Sequence, residues 1–148
     1  MKFLLISELD ESYFNYRSQF ELGNTNLNEF FKISNFVTSL KVVSSPVKNM
    51  IVNLQFYTNA VRLFLPTCTI IDVGLADLAK GIHPLTIAAN IMSLAYECFM
   101  ASGETVVIAS PFPNKFVIRE KESQFHFVMQ ILSDYCEAES KILYIEGR

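Results

Sequence analysis

The 148-residue chain has no tryptophan, only three cysteines and two histidines, and a charged fraction of just 18%. Each shortage closes off a class of function. The cysteines, Cys68, Cys98 and Cys136, are odd in number, widely spaced and free of any Cys-x-x-Cys pair. That pattern argues for free thiols in a reducing compartment rather than a disulfide framework. Positive charge is short as well: 12 lysines and arginines against 15 acidic residues leave a net charge of −3, without the basic excess of a phosphate-backbone binder. The one local basic group, Lys115 to Lys121, is diluted by Glu120 and Glu122 and reads as a solvated surface. No apolar run reaches the roughly 18 residues of a membrane span, and the amino terminus turns acidic at Glu8, too soon for a secretory leader. An intracellular, cytoplasmic protein with neither a nucleic-acid nor a membrane partner is expected.

Apolar residues are plentiful, at 51%, with 13 phenylalanines and 6 tyrosines. This supply suits one folded core in a chain of one-domain length. The domain is expected to span residues 1–144. Residues 145–148, Ile-Glu-Gly-Arg, match the recognition sequence of a tag-removal protease and read as a cloning remnant. So few charges over so much apolar material also leave apolar surface uncovered, which favours a protein partner or a homo-oligomer.

Strand and helix patterns alternate along the chain. Lys2 to Ser7 is a short apolar strand followed by the polar turn Glu8 to Ser12, and Phe36 to Val43 is a second strand. Ser44-Ser45-Pro46 has the serine cap and first-turn proline of a helix start. Apolar residues then recur at Met50, Ile51, Leu54, Tyr57, Val61 and Phe64 until Pro66 stops the helix. Cys68 to Val73 is a third, buried strand. Pro84 opens a long helix whose stripe runs through Ala88, Ile91, Met92, Ala95, Cys98 and Phe99, and Gly103 closes it. Thr105 to Ala109, a helix carrying Phe125, Val128, Ile131, Leu132 and Tyr135, and a strand from Lys141 to Ile145 complete the series. This alternation predicts a three-layer α/β/α sandwich around a mainly parallel sheet of about five strands. In such sheets ligands bind outside the carboxyl ends of the strands. That edge here offers Ser7, Glu8, Ser12, Ser45, Gly74, Asp77 and Ser110.

The stretch Thr69-Ile70-Ile71-Asp72-Val73-Gly74-Leu75-Ala76-Asp77-Leu78 resembles the third sequence block of the SGNH (GDSL-type) hydrolases, which reads Gly-x-Asn-Asp after a hydrophobic strand. The likeness is closest to the esterase-like domains of some animal retroelements. It implies the same α/β/α fold and, residue by residue, a loss of the family's chemistry. The block's asparagine donates a hydrogen bond to the oxyanion of ester hydrolysis, and here its place is taken by Ala76. The family's first strand ends in Gly-Asp-Ser with the serine as nucleophile, and here Ser7, Glu8 and Leu9 fall on those positions. Ser44-Ser45-Pro46 lacks the glycine of the second block. Asp134 has no histidine three residues on to match the family's Asp-x-x-His. The resemblance thus implies a pseudoenzyme without cofactor or metal, with Asp77 kept to bond the amides of its own turn.

Two other readings use the same residues. A working esterase would need a relocated nucleophile, Ser7, Ser12 or Ser110, with His83 or His126 as base. A receiver-like signalling domain would use Asp72 as phosphoacceptor, with Glu8 or Asp10 holding a metal. Its helix after this turn would be shorter than the five turns available in Pro84 to Ser102. Glu8, Asp10, Glu11 and Asp77 are hard oxygen ligands suited to magnesium or calcium, although an acidic loop of this kind is ordinarily solvated.

Overall fold

A computed structural model describes residues 2–7, 39–44, 50–109 and 121–145. Five strands, β1 (Lys2–Ser7), β2 (Ser39–Ser44), β3 (Cys68–Asp72), β4 (Thr105–Ala109) and β5 (Ile142–Ile145), form one sheet in the order β2-β1-β3-β4-β5. Every neighbouring pair is parallel. The near-continuous apolar sequences of β1, β3 and β4 are what a parallel sheet demands, because helical crossovers bury its strands. Four helices are described: α1 (Met50–Phe64), α2 (Leu75–Ala79), α3 (Pro84–Ser102) and α4 (Glu122–Ala138). The connections β2-α1-β3, β3-α3-β4 and β4-α4-β5 all step in the same direction along the sheet. Right-handed crossovers therefore put these three helices on one face, and α3 packs between α1 and α4.

The core lies between that helix layer and the sheet. Leu4, Ile6, Ile71, Val106 and Ile108 from the strands meet Ile87, Ile91 and Leu94 of α3, all with at most 1% of their surface exposed. Each such side chain contributes about 1.5–3 kcal/mol on burial. α3 carries one charged residue, Glu97, in 19. By length and composition it is apolar enough to cross a membrane, yet Ile87, Ala88, Ile91, Leu94, Ala95 and Cys98 are buried inside the protein. Its ends are as the sequence indicates. His83 is the N-cap, with Nδ1 accepting from the Leu85 amide at 3.1 Å, and Pro84 fills the first position, where no amide partner is needed. Gly103 ends the helix in the left-handed conformation and donates to the Phe99 carbonyl at 2.7 Å.

At the opposite end of the sheet, Lys2 fastens α1 to the start of β1 and β3. Its amide donates to Thr67 Oγ1, its carbonyl accepts from the Thr67 amide, and its ammonium donates to the Phe64 carbonyl at 2.8 Å. The same ammonium sits 4.7 Å from the centre of the Phe64 ring. A cation on the last carbonyls of a helix is stabilising because those carbonyls are unpaired and negative. Leu65 completes the stop at φ 53, a left-handed conformation that a leucine holds at some cost.

Some boundaries differ from the sequence expectation. β2 ends at Ser44 rather than Val43, β3 stops at Asp72 rather than Val73, and β5 begins at Ile142 rather than Lys141. Lys141 instead contributes a carbonyl to the Val106 amide. The helix start expected at Ser45-Pro46, and the loop and helix patterns between residues 8 and 38, lie outside the described residues. The short helix α2 is an addition. Its Leu78 amide bonds back to the Gly74 carbonyl at 3.0 Å, so one helical turn forms where a plain turn was expected.

Gly74 adopts φ +119, and a Cβ there would lie 3.1 Å from Ile91 Cδ1 and 3.4 Å from Ile87 Cγ2. Gly103 is also left-handed but has open space around it. Gly74→Ala is therefore expected to cost about 3 kcal/mol or more, from strain and crowding together. Gly103→Ala should cost about 1–2 kcal/mol, from backbone strain alone. Urea denaturation of the two variants tests this order, and equal losses would contradict it.

Candidate active-site edge

Sheet register decides which residues can meet. Ser7 pairs with Ser44 on one side and with Asp72 on the other. β1, β2 and β3 thus finish level, with hydroxyl- and carboxyl-bearing residues at their last positions. Val73 and Gly74 carry the chain from this edge into α2, whose second and third residues are Ala76 and Asp77. Ser7, Gly74, Ala76 and Asp77 therefore belong to one carboxyl edge. The other expected edge residues, Glu8, Leu9, Ser12, Ser45 and Ser110, lie outside the described residues.

Asp77 corrects one expectation. Its side chain is 1% exposed, and neither carboxylate oxygen has a hydrogen-bond partner. The amides that it was expected to bond are used by the main chain. Leu78 donates to Gly74, Gly81 to Leu78, and Ile82 to the carbonyl of Asp77 itself. Formation of α2 consumes those donors and leaves the carboxyl without them. Burial pushes its pKa above the usual carboxylate range, and the positive charge of Lys80 opposes that rise in part. A buried polar group left unpaired is costly, and a charged one more so. Thr69 Oγ1, fully buried in β3, is also unpartnered.

Other candidate groups are committed elsewhere. His83 uses Nδ1 to cap α3. His126 stands on α4, 3.8 Å from Glu122 one turn earlier, with both side chains about two-thirds exposed. Asp134, also on α4, accepts a hydrogen bond from Gln130 at 3.0 Å. The capping role of His83 was legible in its place before Pro84, whereas the influence of Lys80 on Asp77 follows only from the turn. Burial holds the Cys98 thiol up at about 12 and that of Cys136 at about 11, so neither is a ready nucleophile at neutral pH. Beneath the turn lies an apolar cavity bounded by Val73, Gly74, Leu78, Ile87, Ile91 and Phe125. At about 10 Å³ it has room for a water at most, which rules it out as a substrate pocket. Among the described residues, no group of three or more histidine, cysteine, aspartate or glutamate side chains is placed to hold a metal ion.

No family model matches the chain, and no curated protein matches it in sequence. Solved structures do match in fold. The crystal structure of TesA aligns with a TM-score of 0.63 at 15% identity, covering 91% of this chain and 74% of its own. The Clostridium thermocellum family 3 carbohydrate esterase aligns with a TM-score of 0.66 at 15% identity, covering 99% and 77%. Both are SGNH-type proteins, and the fold of this chain is the SGNH-like α/β/α fold.

The raised pKa of Asp77 fixes the sign of a pH effect. The folded protein holds this proton to a higher pH than the unfolded chain does. The resulting stability is full below the ordinary aspartate range and is lost as pH rises through the raised native value. Asp77→Asn removes the ionisation and is expected to raise stability at pH 7 by about 1 kcal/mol or more, one pKa unit being worth that much. Urea denaturation of both proteins at pH 7 and pH 4 tests this. The gain should shrink at pH 4, and an asparagine variant less stable than the parent at pH 7 would contradict the assignment.

Proposed function

We propose that this domain is a catalytically silent SGNH-like module that acts through binding or self-association. The observation that carries this reading is Ala76, two residues after Gly74 at the carboxyl edge, in the place of the oxyanion-donating asparagine. An alanine methyl cannot donate a hydrogen bond, and loss of one such donor costs an ester hydrolase about 10²- to 10³-fold in turnover. Leu9 in the nucleophile's position removes the covalent step as well. The histidine roles support the same reading, since one ring caps a helix and the other stands on an exposed helix surface.

The fold itself is well made for a domain relieved of chemistry. Its apolar strands and helix α3 give a full core, and its low charge leaves apolar side chains at the surface. Binding through such surfaces requires no transition-state machinery, only complementary shape and few buried charges. This is a use to which a hydrolase scaffold can be put once its donors are gone.

Turnover of short-chain aryl esters tests the proposal. The purified domain should hydrolyse p-nitrophenyl acetate and butyrate no faster than an equal concentration of an unrelated protein, and Ser7→Ala, Ser12→Ala and Ser110→Ala should leave that background unchanged. Saturable turnover lost in one of the three variants would overturn it.

A further inference from the structure

α3 buries one face and leaves the other open: only 33% of its most apolar window is buried. Its outward residues are Leu85, Ala89, Ser93, Tyr96 and Met100, all exposed. At 3.6 residues per turn they fall within a stripe about 80° wide. Leu85, Tyr96 and Met100 expose 55%, 50% and 60% of their surface. None of the five carries a charge. Exposed large apolar side chains arranged as a stripe on one helix are an interaction surface rather than the scattered apolar residues of an ordinary exterior.

The spacing of large and small residues identifies the occupant. If a second α3 is laid antiparallel across a two-fold axis between Met92 and Ser93, Leu85 comes level with Met100 of the second copy and Ala89 with Tyr96. Both pairs repeat on the other side of the axis. A tyrosine then faces the gap above an alanine, two flexible apolar side chains meet at each end, and Ser93 lets the helices approach at the centre. The same register brings Lys80, just before α3, near the level of Glu104 of the second copy, just after it. Both are exposed. The stripe is thus self-complementary in shape and flanked by opposite charges. Two copies that each carry a net charge of −3 repel, and an uncharged stripe bounded by Lys80–Glu104 pairs lets them meet at least cost. A membrane surface fits less well, since interfacial helices carry lysine and arginine beside their apolar face and α3 has neither.

We infer that the outer face of α3 is a homodimer interface, with a second copy of this chain packed antiparallel across Ser93. The inference rests on the reading of the domain as a binding or self-association module and names the partner.

Sedimentation equilibrium on the full chain tests it. The protein should be a dimer whose dissociation constant rises about tenfold or more with Ala89→Arg or with Tyr96→Lys. Both positions are exposed, and unchanged circular dichroism would confirm that the variants fold. Lys80→Glu and Glu104→Lys should each weaken the dimer, and the double variant should restore it. In a Cys68→Ser background, Ser93→Cys should form a covalent dimer on mild oxidation. A monomer at every concentration would overturn the interface, as would a dimer indifferent to Ala89→Arg and Tyr96→Lys. Preferential binding to phosphatidylcholine or phosphatidylserine vesicles would assign the stripe to lipid and overturn it too. Oligomeric state and ester turnover separate the two claims. A monomer without turnover refutes the dimer alone, and a dimer that hydrolyses esters through one serine refutes catalytic silence alone.

Discussion

The close packing of Gly74 under α3 is the constraint on which the carboxyl edge depends. The chain leaves β3 with φ +119 and passes against Ile87 and Ile91, the side chains by which α3 is anchored to the sheet. A glycine is required twice over, once for the backbone angle and once for the space. The turn fixes where α2 begins and therefore where Ala76 and Asp77 stand. The same packing sets the rotation of α3, with Ile87, Ile91 and Leu94 facing inward and Leu85, Tyr96 and Met100 facing outward.

Retention of this turn without its amide donor is informative. Val73, Gly74 and the buried stripe of α3 serve packing, and packing is needed whether or not an ester is cleaved. Position 76 serves only the edge in the resemblance, and it holds a residue with nothing to donate. Asp77 belongs to the packing side of this division, although it burdens the structure. It is buried, its neighbouring amides are taken by main-chain carbonyls, and its pKa is raised by desolvation. A carboxyl in that state contributes least where it is charged.

Much of the fold could be read from the chain because its signals are local. Pro84 and Gly103 bracket α3, and its apolar spacing identified Ala88, Ile91, Ala95 and Cys98 as inward residues, all of them buried. Phe125, Val128 and Leu132 did the same for α4. The parallel sheet followed from unbroken apolar strands separated by helices. Features set by main-chain bonding were less accessible. The turn after Gly74 closes into α2 because Leu78 finds the Gly74 carbonyl, and the amides expected for Asp77 are thereby spent. Nor does composition alone distinguish the two faces of α3. Both are apolar, and only packing between α1 and α4 decides which is covered.

Catalytic silence is tested most directly by intact-mass analysis of the folded domain after incubation with a fluorophosphonate probe, with peptide mapping of any adduct. A scaffold with Leu9 and Ala76 at the nucleophile and donor positions should remain unmodified. A single stoichiometric adduct on Ser7, Ser12 or Ser110 would contradict it, because a fluorophosphonate reacts at such stoichiometry only with a serine activated by a base and an oxyanion hole.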